Sequence, residues 1–246
     1  LGKAVTFNDY LLSNYYGAVA LIENATEILE RPFATSLWQK KPGKRYASFI
    51  ADMFPGIYYT EEENSWLDIV VQNVMDLSDR YRQAIAYWAL FQACIVKRPF
   101  NLFHRANLYL REAQVKRSFG NKSTWDCPFP DHFLRFIEEA NLLVFDNGRR
   151  NTVLCSDALD VEPGYDLVYI DPPYTSRKKV TVDYWDFYHF LEGVCRYHEW
   201  GSLIDRSTKH LRLRRRANPW NDPKQISQAI AALIHRHRNA LVAISY

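Results

Sequence analysis

The stretch DLVYIDPPYTSRKK, residues 166–179, runs an apolar, aromatic segment straight into an acid, two prolines and a tyrosine, and three cations follow at once. A short apolar run bounded by a turn signal reads as a buried strand. Three other segments share that character: GKAVTFND (2–9), NTVLC (151–155) and ALVAIS (240–245). The first leads into SNYYGAVALIENATEILE (13–30), whose apolar spacing and leading Ser13 predict a capped helix. The last follows a helix predicted to open with Asp222 and Pro223. Strands alternating with helices predict an α/β fold built on a parallel, doubly wound sheet.

The middle of the chain is different. From about Ser65 to Lys97 the pattern is helical, broken near MDLSDRY (75–81) and ended by Pro99, and a further helix is expected from Asp131 to about Leu143. With no strong strand signal in it, residues 31–130 are expected to form a mostly helical lobe inserted into a core made of residues 1–30 and 131–246.

The bulk numbers are compatible with this organisation. A chain of 246 residues is long enough for one large domain or a core with an inserted lobe. No apolar run is long enough to span a membrane and no signal-peptide pattern opens the chain. The chain starts at Leu1 and stops on the strand-like ALVAISY, so both ends are expected to be cut from something longer. Cys94, Cys127, Cys155 and Cys195 make no C-x-x-C spacing, which excludes a zinc ribbon and predicts buried, reduced thiols. Aromatic residues are 15% of the chain and net charge is only +3, so cation placement, not total charge, must reveal any anionic partner.

The chemistry concentrates at Asp171, Pro172, Pro173 and Tyr174. In an open parallel sheet, ligands bind at the carboxyl ends of strands, where Asp171 is expected to stand. The two prolines fix their own φ angles and remove two donors, leaving the Asp171 carboxylate and the Pro172 carbonyl rigidly presented. Two acceptors beside a flat ring suit a planar group with an exocyclic NH2. Accepting both hydrogens favours the pyramidal amine whose lone pair can attack an electrophile. A carboxylate of ordinary basicity is too weak to deprotonate such an amine first, so proton loss follows attack. That chemistry needs neither a metal nor a covalent enzyme intermediate.

DPPY after an apolar strand resembles the catalytic motif of S-adenosylmethionine-dependent amino-methyltransferases. The wider chain resembles the adenine-N6 DNA methyltransferases of the Dam-like D12 class. The supporting segments are TFNDYLLSNYYGAVALIEN, RPFNLFHRANLYLR (98–111), LCSDALD (154–160) and YWDFYHFLE (184–192). The match covers most of the chain and is weakest over residues 31–97. It implies a Rossmann-like methyltransferase sheet, S-adenosylmethionine as methyl donor, and residues 31–130 as a target-recognition lobe. By position, it further implies that Asp171 and the Pro172 carbonyl hold the target amino group, Pro173 fixes the turn and Tyr174 stacks on the adenine. Asn8 and Asp9 would meet the cofactor, Asp9 at the ribose hydroxyls, and Asp157 and Ala158 would bracket its adenine. The implied partner is double-stranded DNA with one base flipped out, and a cognate restriction endonuclease is the candidate second partner. The implied setting is the cytoplasm of a bacterial or phage-infected cell. The chain departs from the family at two points: no glycine-rich loop precedes residues 2–9, and no closing hairpin follows Tyr246.

Plainer readings stand beside these. Asp9 could serve as an Asx-type cap of the next helix, and Asp157 could be a turn residue. RSTKHLRLRRR (206–216) carries six Arg or Lys and no acid; Arg212, Arg214, Arg215 and Arg216 are candidate phosphate contacts, against the alternative of a solvated charge run. Arg177, Lys178 and Lys179 form a second, shorter candidate patch. His189 and Asn101 are read as structural. An RNA amino-methyltransferase and an inactive DNA-binding remnant are the competing functional readings.

Overall fold

The computed structural model describes residues 2–115, 122–174 and 182–245. Strand β1 (Thr6–Asn8) pairs in parallel with β2 (Thr152–Leu154), Phe7 opposite Val153. β3 (Leu167–Ile170) pairs in parallel with β4 (Leu241–Ile244), Ile170 opposite Ile244. The parallel sense is the expected one. Among the described residues, however, the strands form two separate two-stranded sheets, not one hydrogen-bonded sheet, because β1 and β3 do not bond to each other.

Between β1 and β2 the chain is helical: α1 (Leu12–Ala18), α2 (Arg31–Ser36), α3 (Phe49–Met53), α4 (Glu61–Met75), α5 (Arg80–Val96), α6 (Tyr109–Glu112), α7 (Lys122–Asp126) and α8 (Phe129–Leu143). α9 (Tyr184–Phe187), α10 (His189–Cys195) and α11 (Trp200–Leu203) follow β3, and α12 (Ile226–Arg236) precedes β4. Three boundaries correct the sequence reading. Ser13 does not cap α1; Asp9 Oδ1 accepts the Leu11 amide at 2.8 Å, and the Ser13 amide donates to Glu192 Oε1 at 2.8 Å. The helix also stops early, passing into a π turn over Val19–Glu23 and ending at Asn24, whose side chain takes the amides of Thr26 and Glu27 and so turns the backbone out of the helix. Likewise Asp222 and Pro223 form an entry turn ahead of α12, with Asp222 Oδ1 holding the Lys224 amide.

α5 lies at the centre. Its alanines Ala84, Ala86, Ala89 and Ala93 are fully buried, which lets the neighbouring helices approach closely. Each buried Leu, Ile or Phe alongside them contributes about 1.5–3 kcal/mol. A second focus is aromatic: Phe54, Tyr58, Phe103, Phe190 and Trp200 pack with ring centroids 5.0–5.9 Å apart, tying residues of the 31–130 span to α10 and α11. Gly193 makes the close packing possible, since a Cβ there would sit 1.9 Å from the Trp200 ring.

The start of α4 is pinned by charge. Thr60 and Glu63 form a capping box, and the Glu63 carboxylate also takes Arg111 at 2.6 and 2.8 Å and Lys97 at 2.9 Å. Burial alone would raise the Glu63 carboxyl, but Arg111 and Lys97 outweigh it and hold the group below its ordinary range.

Candidate active site

The carboxyl ends of β1, β2 and β3 open onto one cleft of about 760 Å³. Asn8 and Asp9 arrive from β1, Ser156, Asp157 and Ala158 from β2, and Asp171 and Pro173 from β3. The walls between them are aromatic: Tyr10, Tyr184, Tyr188 and Trp220. A concave, mostly apolar cleft with a few convergent polar groups is the usual form of a small-molecule site.

Asn8 holds two of these strand ends together. Its Oδ1 accepts the Ser156 amide at 3.2 Å and the Ser156 hydroxyl at 2.9 Å, and its Nδ2 donates to the Ser156 carbonyl at 3.1 Å. That clamp sets Asp157 on the same cleft as Asp9. Asp9 itself is bonded on both oxygens, to the Leu11 amide and to Asn14 Nδ2 at 2.8 Å each. The Asx-type cap is therefore present, and it leaves Asp9 on the cleft lining. Burial raises the Asp9 carboxyl above its ordinary range despite those donors.

Asp157 caps the short helical turn Ala158–Asp160. Its Oδ1 accepts the Leu159 amide at 2.9 Å and the Trp220 indole N–H at 3.1 Å. Among the described residues Asp157 Oδ2 accepts no hydrogen bond. Trp220 was not singled out from the sequence; the signal was the NPWN segment (218–221), where Asn218 Oδ1 caps the Trp220 amide at 2.9 Å. The i, i+4 spacing of Tyr184 and Tyr188 brings their rings to the same side; the planes lie 7° apart with centroids 6.3 Å apart.

Asp171 and Pro173 line the cleft, whereas Pro172 is buried beside it and Tyr174 is 44% exposed outside its lining. The Tyr174 hydroxyl reaches Asp171 Oδ1 at 3.1 Å and Ser245 Oγ at 3.0 Å. Arg177, Lys178 and Lys179 lie outside the described residues.

The longer basic run, residues 206–216, is engaged with the protein itself. Arg212 meets Asp186 at 3.1 Å and Asp205 at 3.3 Å, Arg215 Nε meets Asp186 at 2.9 Å, Arg214 donates to the Ser202 carbonyl, and Arg216 lies 4.4 Å from the Trp185 ring centroid. Arg206 and Lys209, in the same run, are exposed.

His189 is fully buried away from the cleft, its Nε2 at 2.8 Å from the Tyr58 hydroxyl and 3.1 Å from the Phe103 carbonyl. Burial pushes its pKa down to about 3, so the ring is neutral and structural. Asn101 is exposed, and it and Phe100 both adopt left-handed backbone, at φ 57° and 68°. All four cysteines are free thiols, but only Cys94 is buried; Cys127 and Cys195 are half-buried and Cys155 is exposed, so the expectation of buried thiols holds in full at Cys94 alone. Among the described residues no cluster of three or more His, Cys, Asp or Glu is placed to hold a metal ion, and no helix is long and apolar enough to cross a membrane.

Asp9 and Asp157 place two carboxylates on the lining of this cleft. Gly17, the glycine among the described lining residues, packs against Trp88 and supplies no glycine-rich turn.

Residues 1–220 match the family model for D12 class N6 adenine-specific DNA methyltransferases. The chain is 29% identical over 199 residues to the Type II methyltransferase M2.HphI of Haemophilus parahaemolyticus, an alignment covering 78% of this chain and 57% of that relative. The chain thus spans little more than half the length of the curated relative it matches. No solved structure gives a significant match.

Proposed function

Because this chain belongs to the D12 class of N6 adenine-specific DNA methyltransferases, we propose that it carries the catalytic site for methylating the N6 amino group of an adenine flipped out of duplex DNA. The observation that carries the reading is the convergence of Asn8, Asp9, Asp157 and Asp171 on one cleft, from three strand ends. We read the two strand pairs as halves of one Rossmann-like sheet, and residues 31–130 as a target-recognition lobe keyed to the catalytic part by the aromatic cluster around Phe54 and Trp200.

S-adenosylmethionine, when bound, supplies an electrophilic methyl group. Asp9 accepts from the ribose hydroxyls and Asp157 from the purine amino group, with Ala158 beside it. The Asp171 carboxylate and the Pro172 carbonyl accept the two hydrogens of the target N6, which favours the pyramidal nitrogen with its lone pair available. Pro172 and Pro173 keep both acceptors rigid, so little reorganisation is needed at the moment of attack. Tyr174 supplies a face for the flipped ring and offsets part of the few kcal/mol that flipping costs. Once the nitrogen is cationic, its proton is acidic enough for the Asp171 carboxylate to receive.

In the full-length protein, Asp171→Ala is expected to abolish incorporation of labelled methyl into duplex DNA and to leave duplex affinity nearly unchanged. Undiminished methylation would overturn the mechanism. The matched family is described by DNA as its substrate, which favours duplex DNA over RNA; methyl incorporation into the two nucleic acids side by side tests that. Saturable calorimetric binding of S-adenosylmethionine argues against an inactive remnant.

A further inference from the structure

Trp220 occupies an unusual position for a residue at the end of a basic segment. Its side chain is buried, 7% exposed, in a small core with Ile170, Ala229 and Leu233, and the same indole lines the cleft. Its backbone is set by Asn218, and Pro219 starts the short helical turn Pro219–Asn221. The indole N–H reaches Asp157 Oδ1 at 3.1 Å, the oxygen that also takes the Leu159 amide.

We infer that Trp220 is a positioning residue that makes Asp157 selective for an amino-bearing purine. The inference rests on the reading of the cleft as the cofactor site. An indole N–H and a backbone amide are donors that cannot reverse roles, so together they commit Oδ1 as an acceptor and hold the carboxylate plane. Oδ2 is left as the acceptor available to a ligand. A purine with an exocyclic NH2 satisfies it, whereas one with a carbonyl at that position sets acceptor against acceptor. A site built on fixed hydrogen-bond polarity rejects the mismatched partner strongly, because a buried polar group is left unpaired. A swinging carboxylate would turn aside from the mismatch and discriminate less.

The test compares binding of S-adenosylhomocysteine with its deaminated analogue, in which a carbonyl replaces the purine amino group, by calorimetry on the full-length protein. Wild type is expected to prefer the amino form by about tenfold or more. Trp220→Phe keeps the ring and removes the N–H, and the preference is expected to fall to within about threefold of unity, chiefly through weaker binding of the amino form. Equal loss of both ligands in Trp220→Phe, or an unchanged ratio, would reduce Trp220 to packing and overturn the inference. Equal binding of both by wild type overturns it without any variant. If wild type binds neither ligand, the reading of the cleft itself fails, a distinct result that removes this inference with it. Should Trp220→Phe not fold, Asn218→Ala keeps the indole but loosens its backbone tether; a lowered ratio there supports the inference and an unchanged one counts against it.

Discussion

The Tyr174 hydroxyl donates to Asp171 Oδ1 across 3.1 Å, so the ring proposed to stack on the target base is tethered to the acid proposed to hold its amino group. A base amine and this hydroxyl compete for the same oxygen. Tyr174→Phe removes the competitor and keeps the ring, so methyl transfer to duplex DNA is expected to stay within about threefold of wild type. Tyr174→Ala removes the stacking face, worth about 1–3 kcal/mol, and is expected to lower kcat/KM roughly 5–150-fold in the same assay.

The clamp between Asn8 and Ser156 joins two strands by three hydrogen bonds. Asn8→Ala strips all three from a half-buried position and is expected to cost about 1–3 kcal/mol, read by urea denaturation. Binding of S-adenosylhomocysteine should weaken along with it, since Asp9 and Asp157 lose their shared spacing. An Asn8→Ala protein of wild-type stability and affinity would show the clamp to be incidental.

Glu63 sits between Arg111 and Lys97, both almost fully buried. Glu63→Gln leaves two buried cations without their counter-ion and is expected to destabilise the protein by about 3–5 kcal/mol, again by denaturant titration. Because the native Glu63 carboxyl is held below its ordinary range, its stabilisation is present above the unfolded-state value and is lost as pH falls through the native one.

His189 gives a second acid sensitivity with a different window. Its native pKa of about 3 lies below the ordinary histidine value of 6.5, so between those pH values the unfolded chain binds a proton that the native state does not. Stability therefore falls as pH drops through that window, by about 1.4 kcal/mol per pH unit for the one proton. His210, also lowered by burial and 5.7 Å from His189 between ring centroids, adds to the slope. His189→Gln is expected to flatten the dependence of melting temperature on pH between 6 and about 4.

In the basic run, position separates two kinds of cation. Arg206 and Lys209 are exposed, and replacing each with Ala is expected to reduce the slope of log affinity for duplex DNA against log salt by about 0.9 without a change in melting temperature. Arg212→Ala is expected instead to cost stability, because Asp186 and Asp205 lose a shared partner. A salt slope that Arg206 and Lys209 leave untouched would move the DNA-facing surface elsewhere.

Elements with strong local signals were legible in the sequence. The helices α4, α5 and α8 follow apolar periodicity with clear caps or prolines at their ends, and the four strands are short β-rich runs between turn residues. DPPY was legible as a rigid turn at a strand end because two prolines leave the backbone few alternatives. What was not legible depends on partners distant in the chain. That Glu192 holds the Ser13 amide, that Asp186 neutralises Arg212 and Arg215, and that Trp220 reaches Asp157 are pairings over separations of 179, 26 to 29, and 63 residues. No local pattern encodes them. From the sequence the basic run reads as candidate phosphate contacts, and only the fold brings Asp186 and Asp205 to it.

Asn8 and Ser156, which bring Asp9 and Asp157 to one cleft, are 148 residues apart along the chain. Long-range pairing of this kind forms slowly, after contacts that are local in sequence. During synthesis at about 5–20 residues per second, β1 must wait roughly 7–30 s for its partner strand to be made. The intervening helices have time to collapse around α5 first. The Asp9–Asp157 side of the cleft therefore cannot form until β2 has been made, and a nascent chain stalled before residue 152 would lack it.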